Sequence, residues 1–411
     1  MHLVRTVLDA VVIGGGPAGS FFAWELAKRG VDVSVFEEHS AVGVPSHCAG
    51  HLSIRSLRSL GLYPLPEGIV ENVFSGANFY SPQGTKFSVH LAQPVTCAVN
   101  RALFDRYLSE KAEAAGARYF LNSRVQSLMN ENGFVKGVNV IQGDKAEEKV
   151  SAKVVLDAEG ISSRMLRQAG LPTLKREGLV YAVEAEVENV KNVEEHAVEV
   201  YVGNEYSPGF YGWLIPRPYG TAKVGLATRN GNPKEFLQRL MRRHPVASTQ
   251  LANAKITRMA FHAITLGGPV TKAYSNGFLA VGDCASQVKP TTGGGVIFSI
   301  TCAKIAAEVA SEAVKRNDLS AEFLRLYQKR FEETLGFDTR VMLKIREFLN
   351  ALSDEKMDKA LRFAARTGLS GALRDVDEID FQGRTLLTVL KKPAAYAALA
   401  YFAALYLSAN A

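Results

Sequence analysis

The stretch VLDAVVIGGGPAGSFFAWELAKRGVDVSVFEE, residues 7–38, decides the fold. Residues 7–13 form a short β-branched run that reads as a strand. Gly14, Gly16 and Gly19 then occupy the positions of a G-x-G-x-x-G turn. Residues 20–29 have helical periodicity, Gly30 closes that helix, and residues 31–36 read as a second strand. The glycines serve distinct physical purposes. Gly14 permits the tight turn, Gly16 lets a pyrophosphate approach, and Gly19 lets helix and strand pack closely. Ala18 lies within the same turn, where the helix N-terminus offers free N–H groups to phosphate. Glu37, 23 residues after Gly14, ends the second strand and suits a ribose 2′-OH. Its carboxylate would repel a 2′-phosphate. The unit binds a dinucleotide, and by itself leaves FAD and NAD open.

The far end of the chain separates these two. Residues 277–310, GFLAVGDCASQVKPTTGGGVIFSITCAKIAAEVA, place a strand, then Asp283, then a glycine triplet before a long apolar helix. Gly294, Gly295 and Val296 open that helix, offering a second set of N–H groups, and Asp283 suits a sugar-like hydroxyl. FAD is long enough to use two such stations. This segment resembles the G-D-A-A-x-x-x-x-P-x-x-G-x-G region of FAD-dependent enzymes with the para-hydroxybenzoate hydroxylase type of fold. The resemblance implies that Asp283 meets the ribityl chain and that the glycine-led helix faces the flavin. Cys284 stands where Ala is common and reads as packing.

Two further segments agree. VNRALFDRYLSEKAEAAGA (99–117) is similar to the family's R-x-x-F-D-x-x-L segment, which implies that Arg101 approaches cofactor phosphates or ribityl hydroxyls. A plain Arg101–Asp105 ion pair on a helix stays open. VVLDAEGISSRMLRQAG (154–170) is similar to V-x-A-D-G-x-x-S-x-x-R, with Glu159 at the usual Asp. Val125 matches the strand whose backbone meets adenine.

Within this framework the reaction is undecided, because fold does not dictate chemistry. Two stretches narrow it. PSHCAGHLS (45–53) resembles the P-x-x-C-x-G-x-x-S loop of geranylgeranyl reductases, which runs beside the flavin. The resemblance implies cofactor contact at Cys48, Ala49 and Gly50, and a catalytic, redox or packing role for Cys48. His47 and His51 read as loop and surface residues, and no metal is expected. VEVYVGNEYSPGFYGWLIPRPYGTAKVGLA (198–227) resembles the same family's aromatic segment, with Tyr211, Trp213 and Pro216 matching and Ile215 and Arg217 as replacements of like type. Tyr211, Trp213 and Pro216 are expected to line the substrate pocket, and Tyr211 and Trp213 to serve catalysis. The likeness extends from about residue 9 to 314 and thins beyond.

The implied activity is FAD-dependent saturation of C=C bonds in geranylgeranyl chains, on archaeal-type ether phospholipid precursors. An isolated alkene is a poor hydride acceptor. It is therefore expected to receive a proton as, or before, hydride leaves flavin N5. Competing readings are a flavin monooxygenase or other dehydrogenase of the same fold, and an electron-transfer flavoprotein serving a quinone. A ferredoxin, NAD(P)H or a deazaflavin each suit as external electron donor.

The expected fold class is α/β, α+β overall. The FAD-binding domain is Rossmann-like and discontinuous (1–65, 95–168 and 265–315). An antiparallel-sheet substrate cap takes 66–94 and 169–264, and a helical C-terminal region takes 316–411. The net charge of +7 favours anionic partners, but no dense Lys/Arg block points to nucleic acid. Four dispersed cysteines argue against a disulfide scaffold. The run 7–13 enters glycines without a signal-peptide cleavage pattern, so a cytoplasmic protein is expected. Residues 394–411, AAYAALAYFAALYLSANA, carry no charge. They read either as a docked terminal helix or as a helix against the cytoplasmic membrane face, with Lys391 and Lys392 at the headgroups. Arg325, Lys329 and Arg330 read as a solvated helix face or as headgroup contacts.

Overall fold

The structure, a computed structural model, describes residues 7–376 and 378–407. Residues 408–411 of the uncharged tail and residues 1–6 of the expected first domain lie outside the described residues. The chain divides into two compact units. Met1–Ser46, Arg101–Gly178 and Thr265–Phe337 make the first, and His47–Asn100, Leu179–Ile264 and Asp338–Ala411 the second. This differs from the boundaries read in the sequence. Residues 47–65 and 95–100 join the cap strands, and most of the helical tail also belongs to the second unit. The chain changes unit inside PSHCAGHLS, between Ser46 and His47.

The first unit is built on an eight-stranded sheet. Leu8–Ile13 lies at its centre, parallel to Val33–Phe36 on one side and Glu148–Asp157 on the other. Ala10, Val11 and Val12 are fully buried, as a parallel strand covered on both faces requires. Phe278–Ala280 extends the parallel order beyond Glu148–Asp157, and Ser123–Glu131 with Phe134–Gln142 form an antiparallel ribbon. Helix Pro17–Ala27 packs against Arg101–Ala114 and Val296–Arg316. Its first residue is proline, whose missing N–H costs nothing there, and no side chain caps its N-terminus.

The second unit holds a seven-stranded sheet, in which Ala197–Val202 runs antiparallel to Tyr211–Arg217 on one side and parallel to Gly76–Tyr80 on the other. Strand alternation sorts its residues. Val183, Ala185 and Val187 join Leu214, Val224 and Leu226 on one face, against Leu237 and Leu240 of helix Pro233–Arg243. Burying each of the Val and Leu side chains is worth roughly 1.5–3 kcal/mol. The other face carries Tyr211 and Trp213. A three-stranded sheet of His51–Ser53, Val70–Phe74 and Thr96–Val99 supplies Phe74 and Ala98, which cluster with Ile215 and Trp213.

His244 ends helix Pro233–Arg243, fully buried among Tyr80, Tyr201 and Tyr206. Its Nε2 lies 2.9 Å from the Ser81 carbonyl, and Val246 and Ala247 N–H groups both donate to Nδ1. The neutral Nε2–H tautomer therefore uses both nitrogens. Burial pushes its pKa down to about 4. The unfolded chain binds this proton more tightly, near the ordinary pH of about 6.5. Its stabilising contribution is present above that value and is lost as pH falls toward 4. Denaturant titrations are expected to show His244→Gln losing about 3 kcal/mol of acid-dependent stability change across this window.

Candidate active site

The first unit builds a nucleotide cradle. Gly14 has φ +93°, and a Cβ there would stand 2.5 Å from the Ala158 carbonyl oxygen. A Cβ on Gly19 would stand 2.0 Å from the Gly14 oxygen, so helix and turn touch through backbone. At Gly16 a Cβ would meet no atom within 4 Å. That open space above an uncapped helix N-terminus is where a diphosphate fits. Glu37 accepts from Gly15 N (2.8 Å) and from His39 N (2.9 Å), so its carboxylate closes the turn. A carboxylate has lone pairs left for a ribose hydroxyl. Ala18 is buried at the helix start, beside the position a Gly282 Cβ would take, 3.6 Å away. The two stations read from distant parts of the sequence are thus neighbours.

At the second station, Gly282 N donates to Gln287 Oε1 (2.8 Å), Gln287 donates to Tyr327, and the Tyr327 hydroxyl donates to the Ala280 carbonyl. This fixes the turn that presents Asp283. A Cβ on Gly295 would come 3.0 Å from Asp283 Oδ1, placing the carboxylate beside the N-terminus of helix Val296–Arg316. That helix also lacks a side-chain cap. Over Gly294 lies the Lys289 side chain.

Arg101 makes two 2.9 Å bonds to Asp105, the ion pair that the spacing allows. Val125 is buried in Ser123–Glu131, and its carbonyl accepts from Arg164 at 3.2 Å. Glu159 accepts from Met165 N and pairs with Arg164 at 3.4 Å. Cys284 is fully buried. Sequence reasoning passed over Asp157. It is fully buried, one oxygen accepts from Glu159 N, and the other has no partner among the described residues. Burial, then the Glu159 charge, raises its pKa well above the ordinary carboxylate value. Arg325, Lys329 and Arg330 pair with Glu322, Glu333 and with Glu308 and Glu312, on an exposed helix face.

The second unit builds an aromatic wall. Trp213 lies over Gly225, where a Cβ would stand 2.5 Å from the indole ring. Tyr211 meets Trp213 edge-on at 6.1 Å and stacks on Phe210 at 4.3 Å. Burial raises the Tyr211 phenol above its ordinary pKa, so it keeps its proton. Register places Val200 and Val202 across from Trp213 and Tyr211, with Phe79 beyond Val200. Pro216 does not join this wall. It alternates to the opposite face, buried opposite Ala222.

A charged group that the sequence reading missed borders the wall. Trp213 Nε1 donates to Glu184 at 3.1 Å. Lys223, 5% exposed, donates to Glu71 (2.6 Å) and to the Ala49 and Val99 carbonyls. Arg217 bridges Glu71 and Glu186. The signal was present in the alternation Val183, Glu184, Ala185, Glu186, Val187, where acids occupy every second position of a strand.

The loop with Cys48 is held on both sides. His47 stacks on His262 at 4.7 Å, the Ala49 carbonyl receives Lys223, and the Gly50 carbonyl accepts from Val99 N. Cys48 is a free, half-buried thiol. His51 is 2.7 Å from Thr96 Oγ1. Among the described residues, no three His, Cys, Asp or Glu side chains are grouped to hold a metal.

The FAD binding domain family matches residues 7–315. A digeranylgeranylglycerophospholipid reductase of Methanopyrus kandleri is 37% identical, over 85% of this chain and 88% of its own length. That of Methanocaldococcus jannaschii is 33% identical, over 96% and 97%. A geranylgeranyl bacteriochlorophyll reductase-like protein of Thermoplasma acidophilum superposes with a TM-score of 0.86 at 26% identity, over 96% of this chain and 99% of that one. A flavin-dependent brominase, at 20% identity and a TM-score of 0.71 over 94% and 100%, shares the fold. The nucleotide cradle and the aromatic wall thus lie within a fold that both reductase-like and halogenating flavoproteins use.

Proposed function

The chain belongs to the digeranylgeranylglycerophospholipid reductase family of FAD-binding oxidoreductases, and on that premise we propose that it saturates the C=C bonds of geranylgeranyl chains on archaeal-type ether phospholipid precursors. Gly14, Gly16, Gly19 and Glu37 would hold the FAD diphosphate and ribose side, and Asp283 with the turn 293–296 the flavin side. When bound in its reduced form, FAD supplies the hydride equivalent for the alkene. The observation that carries the reading is the apolar wall of Tyr211 and Trp213 over Gly225, continued by Val200, Val202 and Phe79. Protonating a trisubstituted alkene places positive charge on its more substituted carbon. Electron-rich ring faces stabilise such a charge where water is excluded. The Tyr211 phenol, which burial makes a weaker acid than an exposed phenol, and the Cys48 thiol are the two candidates to supply this proton, and the Lys223 anchor at Ala49 keeps the Cys48 loop in place.

Reduced enzyme, mixed anaerobically with a geranylgeranyl glycerophospholipid, is expected to reoxidise as the lipid gains two mass units per bond. Reoxidation by oxygen alone with a hydroxylated product, or by quinone alone, overturns the reading.

We propose that an external ferredoxin, NAD(P)H or deazaflavin supplies the electrons. We also infer peripheral contact with the cytoplasmic membrane face, where the substrate resides. Helix Pro393–Leu407 buries Ala395 and Ala398, and Tyr401 stacks on Phe363 at 4.0 Å, while Tyr396, Leu399 and Leu407 remain exposed. Among the described residues no helix is long and apolar enough to cross a membrane. Leu399→Asp combined with Leu407→Asp is expected to weaken co-sedimentation with anionic vesicles by about tenfold or more. Unchanged sedimentation removes the membrane contact.

A further inference from the structure

We propose that Glu184 is a positioning residue for the reaction: its carboxylate, bonded to the Trp213 indole N–H, holds the ring over Gly225 and makes its π face a stronger seat for the cationic carbon of the reacting alkene. The inference rests on the reductase reading given above and extends it to a residue that no motif marks.

Two observations and one physical argument carry it. The Glu184 oxygen lies 3.1 Å from Trp213 Nε1, and indole offers no other polar atom. Glu184 stands in register with Gly225, the residue whose missing side chain makes room for the ring, so support and ring share one sheet face. An acceptor on the N–H draws that proton outward and leaves electron density in the ring, and a full negative charge does so more than a neutral acceptor. The ring then binds positive charge more strongly on its face.

The surrounding charges leave this acid available. Lys223, on the strand facing Glu184, donates to Glu71 and to the Ala49 and Val99 carbonyls. Arg217 and Arg258 engage Glu186, and Arg217 also engages Glu71. Tyr211, on the same face, meets the indole edge-on. Burial raises the Glu184 pKa to about 7, opposed by the Lys223 charge and the indole bond and reinforced by Glu186 and Glu71. The carboxyl therefore changes charge within the working range of pH.

The test uses FAD-loaded protein labelled with 15N-tryptophan. The chain has two tryptophans. Trp24, between Lys28 and Lys111, is assigned by Trp24→Phe. The Trp213 indole N–H resonance is expected to titrate near pH 7 in the wild type and to be pH-flat in Glu184→Gln. Single-turnover reoxidation by a geranylgeranyl glycerophospholipid is expected to rise across the same pH interval, and to be about tenfold slower and flat there in Glu184→Gln. Glu184→Asp, which keeps the charge, is expected to retain a pH-dependent limb. A pH-flat Trp213 resonance in the wild type, or a turnover limb that survives in Glu184→Gln, overturns the inference alone. A wild type that saturates no prenyl lipid at any pH, its resonance still titrating, overturns the reductase reading and the catalytic part of the inference with it.

Discussion

Gly16→Ala and Gly19→Ala are both expected to purify without FAD, and for opposite reasons. At Gly19 the new methyl would lie 2.0 Å from the Gly14 carbonyl oxygen and 3.1 Å from a Val12 methyl. Backbone cannot swing aside as a flexible side chain would. Helix Pro17–Ala27 must therefore lift from strand Leu8–Ile13, at a cost of about 3 kcal/mol in the apoprotein. The helix N-terminus moves with it and stops aiming at the diphosphate. At Gly16 the methyl meets no protein atom within 4 Å. The apoprotein of Gly16→Ala should melt with the wild type, while the methyl occupies the volume the diphosphate needs. FAD affinity is expected to fall about 100-fold, equivalent to about 3 kcal/mol. Flavin-to-protein absorbance ratios and melting of both apoproteins check this pair. A Gly16→Ala protein that retains FAD at wild-type affinity would show that the open space is not the diphosphate seat.

Gly225→Ala is expected to remove turnover while leaving FAD bound. Its Cβ would stand 2.5 Å from the Trp213 ring and 2.6 Å from the Val183 carbonyl oxygen of the adjoining strand. The ring must tilt or shift by about an ångström. Displacement of a positioning group on that scale costs about 100-fold in rate. The backbone clash adds about 1–3 kcal/mol of instability. Combining it with Trp213→Ala removes the ring clash but leaves the Val183 carbonyl, so stability returns only in part. The two substitutions are thus non-additive, as groups in contact are. Flavin content, stopped-flow reoxidation with geranylgeranyl lipid and denaturant midpoints read the three effects separately. Wild-type turnover in Gly225→Ala would mean that the position of Trp213 does not matter to the reaction.

Much of the first unit was legible because its signals are local. Residues 7–38 carry a β-branched run, spaced glycines, a periodic helix and a terminal acid, and each constrains only its neighbours in sequence. The strands, the turn and the helix follow in the order that reading gave, with the ends shifted: the helix read over 20–29 runs over Pro17–Ala27, and the strands read over 7–13 and 31–36 are Leu8–Ile13 and Val33–Phe36. The same holds for the strand pair with Tyr211 and Trp213. Alternation there already implied two faces, and taken one step further it assigns Pro216 to the face away from the aromatics. Charge partners were less legible. Glu184 and Trp213 are 29 residues apart, and Lys223 and Glu71 are 152 apart. Such pairs form only after strands have aligned in register.

What the sequence determined by itself is the FAD-type cradle and the aromatic strand, written in short motifs whose geometry is set by backbone sterics and strand or helix period; the reductase family entered through the resemblance those motifs bear. What only the tertiary structure decided is which elements share a unit and which side chains share a face. The chain leaves the first unit at Ser46, and the residues flanking Cys48 are held within the second unit, His47 by stacking on His262 and Ala49 by Lys223. Register, a non-local property set by the burial of whole faces, brought Glu184 to Trp213 and emptied Gly225 beneath it.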